Sequence, residues 1–432
     1  MVIFNLVDTY FISQLGTLHL AALTFTFPVV LVIQSLAMGL GMGTSALISR
    51  AIGEGDQQKV RCMTTSSLVL AVGIVAVFII AGQLTIDSVF SLVGAGSDTL
   101  PLIREYMRIW YWGMLFVVVP MVGNNAIRAT GDTKTPGLIM GLAVLVNTLM
   151  DWLLIFGIGP FPELGIQGAA VATVMARFST FTLALIVLAR REHMITFRGI
   201  RIAWMIRYWK QILYIGLPTA GTRMILPVAA GVITRLISGY GHLAVAGFGV
   251  ASRVEFFALV PVVALASVLG PFVGQNFGAM KMARVRQGVL ISNRFSVFFG
   301  LISWAALVLL GRSIGGIFTD ESRTVDIVVL YLGIVPSAYA LQGITFLSGM
   351  TLNVLHQPLK AAAISLIQMF AMYLPLAFLG SRLFGVAGIF GALAVAYAAA
   401  GILSLVTVRR EIGRMMKMTA HLAADSEPAK GG

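Results

Sequence analysis

The sequence predicts an all-α membrane protein of twelve transmembrane helices, arranged as two six-helix lobes around a central cavity. Three observations carry this: an apolar composition, a regular alternation of apolar spans with basic loops, and a weak internal repeat at half the chain length. Of 432 residues, 58% are hydrophobic and only 11% are charged. A soluble domain carries roughly 25% charged residues. The mean hydropathy of +0.93 points the same way. Soluble, disordered and disulfide-rich classes are excluded. The single cysteine, Cys62, has no partner within the chain. The N-terminus has no basic run before an apolar core, so no secretory signal peptide is expected.

A helix needs about 20 apolar residues to cross the hydrocarbon. The expected spans are 1–15, 24–48, 62–83, 101–124, 136–157, 168–189, 212–238, 244–273, 288–310, 325–349, 359–379 and 386–408. The first is short on its N-terminal side. The loops differ sharply in charge. One set (49–61, 125–135, 190–211, 276–287, 350–360 and the tail) holds twenty Lys and Arg. The other holds three: Arg312, Arg323 and Arg382. The first set is therefore cytoplasmic, and both termini are expected there, in a plasma membrane (the inner membrane of a Gram-negative cell). The net charge of +13 belongs to these loops and not to a nucleic-acid surface.

The expected organisation is an N-lobe over 1–189, a cytoplasmic basic linker over 190–211, a C-lobe over 212–408 and a cytoplasmic tail over 409–432. The linker carries Trp204, Tyr208 and Trp209 among its basic residues. That composition suits an amphipathic segment on an anionic membrane surface.

The halves echo each other. LHLAA (18–22) is matched by GHLAVA (241–246), RAIGEG (50–55) by QNFGAM (275–280), and GIQGAA (165–170) by GVAGIF (385–390). Six spans per half give both halves the same orientation, so the repeat is parallel. Such proteins alternate the opening of a cavity between two bundles, which predicts a transporter.

Polar residues inside the spans are candidates for the chemistry. A charge at the bilayer centre costs about 2.5–3.5 kcal/mol on insertion scales. Asp8 lies in NLVDTYFISQLG, and Asp151 in VNTLMDWLLIF. Asn147 precedes Asp151 by one helical turn and shares its face. A carboxylate beside an amide oxygen can bind a hard cation such as Na⁺, or the carboxylate can take a proton when desolvated. Either neutralises a buried charge. The competing reading places both aspartates at helix ends near headgroups.

Arg177, Arg223, Arg235, Arg253 and Arg294 also lie in or near spans. Arg253 and Glu255 are two apart, so they point away from each other on a helix. Arg223 with Glu255 is a possible inter-helix pair. The competing reading makes these charges structural ion pairs between helices. Many spans hold prolines (Pro28, Pro120, Pro218, Pro227, Pro261, Pro271, Pro336 and Pro375), which suits bent helices around a cavity. There is no Walker A sequence and no His/Cys cluster with metal spacing, so no enzyme is expected.

The chain resembles the multidrug and toxic compound extrusion (MATE) family, most closely its DinF-like branch. NLVDTYFISQLGT (5–17), IRATGDTKTP (127–136), VNTLMDWLLIFGIG (146–159), GIQGAAVATV (165–174), GVASRVEFFALVP (249–261) and PFVGQNFGA (271–279) carry the resemblance. It implies antiporters that expel organic, often cationic, compounds in exchange for H⁺ or Na⁺. It also implies a cation site at Asp8, Asn147, Asp151 and Thr173, the last from the resemblance alone. Some members use an acidic residue in the second half as well, for which Glu255, with Arg223 and Arg253, is the candidate coupling set here. Family members have further residues before the NLVD stretch, which agrees with a first helix short at its N-terminal side.

The expected partners are small drug-like molecules and the bilayer, with no nucleic acid, no cofactor beyond the coupling ion, and a monomeric state. The alternative is a flippase for a lipid-linked polyprenyl diphosphate, whose anionic substrate would suit an arginine-lined cavity. A third reading, raised by the short first helix, is a non-transporting membrane scaffold.

Overall fold

The computed structural model describes residues 11, 14, 17–197 and 201–425. Asp8 and most of the first expected span lie outside the described residues. All the regular structure among the described residues is helical. Among the described residues, ten helices are long and apolar enough to cross a membrane. In order they are α1 (Thr17–Glu54), α2 (Gln57–Val93), α3 (Leu100–Ala129), α4 (Lys134–Phe156), α5 (Gly165–Ile186), α6 (Ile202–Ser238), α7 (His242–Gly278) and α8 (Met282–Phe318). The ninth stretch joins α9 (Ser322–Ile334) to α10 (Tyr339–Val354) through a 3₁₀ turn, Val335–Ala338. The tenth joins α11 (Pro358–Leu366) to α12 (Leu374–Asp425) through a π turn, Ile367–Tyr373.

Most helices outrun the expected spans. The apolar core needs only about 20 residues, and polar turns extend the helices beyond it. Asp56 caps α2, accepting the Lys59 N–H at 2.9 Å. Gly94 and Gly157 end α2 and α4 in the left-handed conformation, which a residue without a Cβ adopts freely.

The expected spans 359–379 and 386–408 fall within a single helical stretch, but α12 breaks at Gly385 (φ 61°, ψ −139°). There the chain folds back. A Cβ on Gly380 would lie 2.4 Å from the Gly388 carbonyl oxygen. Residues eight apart in a straight helix would sit about 12 Å apart. Tyr240 ties this corner down, its hydroxyl donating to the Ser381 carbonyl at 2.7 Å.

The chain divides into two compact units. The first comprises the described residues up to Ile48 with Asp56–Ala220, and the second Ser49–Gly55 with Gly221–Gly432. In the first unit, α3, α4 and α5 pack against one another. Gly113 admits the Val174 side chain, and Gly168 admits the Leu154 carbonyl, 2.5 Å from where its Cβ would be. The second unit closes on Ile233, Ala251, Val328, Tyr331, Tyr339 and Phe390.

The second half of the basic linker is helical. Residues 202–211 are the opening turns of α6, because no Gly or Pro interrupts IAWMIRYWKQILY. Trp209 donates its indole N–H to the Ser66 carbonyl at 2.8 Å. The Thr196 backbone N–H reaches Thr65 Oγ1 at 3.0 Å. This segment is therefore docked on α2 as well as rich in charge.

Candidate functional site

The first candidate lies on the α4–α5 hairpin. Asn147 and Asp151 are fully buried on one face of α4. Leu164 N–H bonds the Leu154 carbonyl at 3.0 Å, and Gly168 touches that same carbonyl. These contacts fix the antiparallel register. Counting along both helices at 1.5 Å per residue, Thr173 of α5 falls level with the turn between Asn147 and Asp151. Thr173 is 6% exposed and Arg177, one turn on, 5%.

The Asn147 amide and the Thr173 hydroxyl have no hydrogen-bond partner among the described residues. Buried polar groups are nearly always bonded, and leaving one unmade costs about 1–3 kcal/mol. The described part of the opening segment lies close by: the Phe11 ring meets the Phe156 ring edge-on at 6.1 Å, at the end of α4.

The second candidate, in the other unit, centres on Glu255 of α7. Tyr331 donates its hydroxyl to Glu255 Oε2, and Tyr397 donates to Oε1 at 2.6 Å. The hydroxyls of Tyr339 and Tyr373 are buried in the same unit and make no hydrogen bond among the described residues. Three of these phenols flank irregular turns. Tyr331 and Tyr339 bracket the 3₁₀ turn containing Pro336, and Tyr373 ends the π turn just before Pro375. Pro375 cannot supply the N–H that would continue the α ladder, and π turns concentrate at functional sites.

The sequence singles out Glu255 but not the tyrosines that donate to it. The signal that could have shown them was the pairing of Tyr with Pro in two spans. Among the described residues, no ion pair joins Arg223 or Arg253 to Glu255. The carboxylate is held by phenols, and both arginines are exposed. Arg235 and Arg294 are exposed too.

A third cluster orders the loop after α3. Asp132 accepts from the Thr135 N–H at 3.0 Å and pairs with Arg191 at 3.1 Å. Arg191 also donates to Thr135 Oγ1 at 2.7 Å. The Thr135 hydrogen bonds, and secondarily Arg191, hold the Asp132 carboxyl below its ordinary range.

Comparison with known proteins places this architecture. The MatE family model matches residues 1–153 and 218–379. The chain belongs to the MATE family. Its members are multi-pass transporters and not enzymes. This MATE chain is 38% identical to the FAD transporter of Shewanella oneidensis over 399 residues, covering 92% of this chain and 88% of that one. It is 25% identical to the probable multidrug resistance protein YoeA of Bacillus subtilis, covering 85% and 80%. Among solved structures, the Vibrio cholerae MATE transporter VcmN in its bent form superposes with a TM-score of 0.89 at 30% identity, covering 95% and 93%.

Proposed function

We propose that this MATE protein is a secondary active exporter of organic compounds, driven by H⁺ or Na⁺ entering at Asp151. The observation that carries this reading is the co-location of Asn147, Asp151 and Thr173 at one buried level of the α4–α5 hairpin. Desolvation makes an ionised carboxylate there costly. A proton or a sodium ion removes the charge, and the amide and hydroxyl oxygens complete a cage for the latter. Asp8 is the fourth member of this site. It stands three residues before Phe11, whose ring reaches the end of α4. Glu255 is a second coupling carboxylate in the other half.

In this reading, twelve helices form two six-helix lobes, both termini are cytoplasmic, and loading the cation site lowers affinity for the exported compound. The protein works as a monomer in the plasma membrane. The test is ethidium transport in proteoliposomes under separately imposed pH and Na⁺ gradients. Asp151→Asn protein that folds normally yet exports nothing supports the site. Full export by both Asp151→Asn and Asp8→Asn sinks it.

A second reading concerns the substrate. The 38% identity to an FAD transporter, over nearly the whole chain, favours a flavin dinucleotide over a cationic drug. Competition of FAD with ethidium in the same vesicles separates the two.

A further inference from the structure

We propose that the entry of α6 binds one anionic phospholipid of the cytoplasmic leaflet, with its phosphate on Lys210 and Arg207 and an acyl chain along Leu213, Tyr214, Leu217 and Pro218. The proposal takes the orientation proposed above and depends on neither the coupling ion nor the exported compound.

One face of α6 is committed to protein. A Cβ on Gly39 of α1 would fall 2.3 Å from the Gly216 carbonyl oxygen, and one on Gly43 would fall 2.5 Å from the Ile212 carbonyl oxygen. Trp209 is held on α2 by the Ser66 carbonyl. Ile212 and Ile215 are buried on the same side. With about 3.6 residues per turn, Lys210, Tyr214 and Leu217 stand on the opposite side. Arg207, Lys210, Leu213, Tyr214 and Leu217 follow one another at three- and four-residue steps, so they make one stripe along the helix. All of these residues belong to the first unit.

That stripe carries a groove of about 420 Å³, lined by Lys210, Leu213, Tyr214, Leu217 and Pro218. Its charge sits at one end. Lys210 opens the groove, the amphipathic Tyr214 ring follows one turn on, and the rest of the lining is apolar. Lys210 is the last charged residue of α6 before Arg223. Leu217 lies about 10 Å beyond it along the axis at 1.5 Å per residue. Half the hydrocarbon thickness is about 15 Å. The groove therefore runs from headgroup level into a single leaflet, the depth at which tyrosine rings also settle.

The approach to the groove suits a membrane surface. Ile202, Trp204 and Ile206 are exposed there, interleaved with Arg201 and Arg207, and the Arg201 guanidinium lies 5.5 Å from the centre of the Trp204 ring. An amphipathic run of this composition lies among headgroups. Arg207 and Lys210 are exposed, and neither forms an ion pair among the described residues. Two cations one turn apart match an anionic headgroup, and such lipids enrich the cytoplasmic leaflet. A free phosphate would use the cations and leave the groove empty. A neutral lipid would fill the groove and leave the cations unpaired. An anionic phospholipid uses both.

The test is native mass spectrometry of the full chain released from detergent, with phosphatidylglycerol or phosphatidylcholine of the same acyl chains titrated in. Wild type is expected to retain one phosphatidylglycerol and to prefer it by about tenfold or more, the effect of two surface cations. Lys210→Gln and Arg207→Gln should each lower phosphatidylglycerol affinity about fivefold, with phosphatidylcholine binding and melting temperature unchanged. Leu217→Ala should weaken both lipids. Arg286→Gln removes an exposed cation near the start of α8 and should alter neither. Equal affinity of wild type for the two lipids would overturn the proposal. So would a loss in Arg286→Gln as large as that in Lys210→Gln, because retention would then belong to the basic loops as a whole. A dimer that Leu217→Ala dissociates would assign the groove to a second copy and overturn it too.

Discussion

Gly53 and Gly278 occupy equivalent places in one reciprocal contact. A Cβ on Gly53 would fall 1.9 Å from the Gln275 carbonyl oxygen, and one on Gly278 would fall 2.0 Å from the Arg50 carbonyl oxygen. Each glycine stands three residues after the residue that the other one touches. The two echoed segments, RAIGEG at the end of α1 and QNFGAM at the end of α7, thus pack on each other within the second unit through a local pseudo-two-fold. Arg50 adds to the contact, its guanidinium 4.8 Å from the centre of the Phe277 ring.

Gly53→Ala should therefore be costly. The obstacle is backbone, which has no rotamer with which to move aside, and overpacking costs about 1–3 kcal/mol. We expect a melting temperature several degrees lower for Gly53→Ala and a similar loss for Gly278→Ala. Gly55→Ala meets no atoms within 4 Å but carries the strain of a positive φ, so it should cost less. Thermal unfolding in detergent orders the three.

Gly165 and Gly385 predict a second paired effect. Both have positive φ, 52° and 61°. Each is followed three residues later by a glycine against a carbonyl oxygen, Gly168 on Leu154 and Gly388 on Gly380. Alanine at Gly385 (ψ −139°) enters a region that L-residues avoid, at about 1–3 kcal/mol. Gly385→Ala should lower stability by that order, and Gly391→Ala, with open space around it, should not. Parallel melting curves decide.

The phenols around Glu255 should behave as a coupled unit. Removing one hydroxyl from a hydrogen bond to a charged group costs about 1.5–3 kcal/mol. Tyr331→Phe and Tyr397→Phe should each destabilise by that order in wild type and much less in a Glu255→Ala background. A double-mutant cycle gives the coupling energy, and strict additivity would show that the hydrogen bonds contribute nothing.

Asp132 predicts a loss of stability in acid. Its folded pKa lies below its unfolded value, through the Thr135 hydrogen bonds first and Arg191 after them. Its contribution is present above about pH 4 and drains as the pH falls through the lower folded value. Asp132→Asn should cost stability at pH 7, with the gap to wild type narrowing towards pH 3. Melting temperatures across that range test it.

His356 predicts the opposite ordering for a base. Burial, and then Arg50, hold its pKa below 6.5. As the pH falls below about 6.5, the unfolded chain takes up the proton before the folded one does, so stability falls. His356→Gln should flatten the dependence between pH 5 and 7. An unchanged slope would place the titration elsewhere.

The sequence by itself determined the class of this protein. Composition and span length require a helical membrane protein, because lipid leaves backbone polar groups no partner but their own helix. It also marked Asn147 and Asp151, since helical period alone puts residues four apart on one face. The echoed glycines were visible as letters.

Only the tertiary structure decided what those letters do. It showed Gly53 and Gly278 as halves of a single contact, placed Thr173 level with Asn147 and Asp151 through a hairpin register, and brought the hydroxyls of Tyr331 and Tyr397 onto one carboxylate. It gave Glu255 two phenol donors and, among the described residues, no ion pair with Arg223. Side chains distant in sequence meet through packing, and packing depends on the combined shapes of whole helices, which local spacing does not encode.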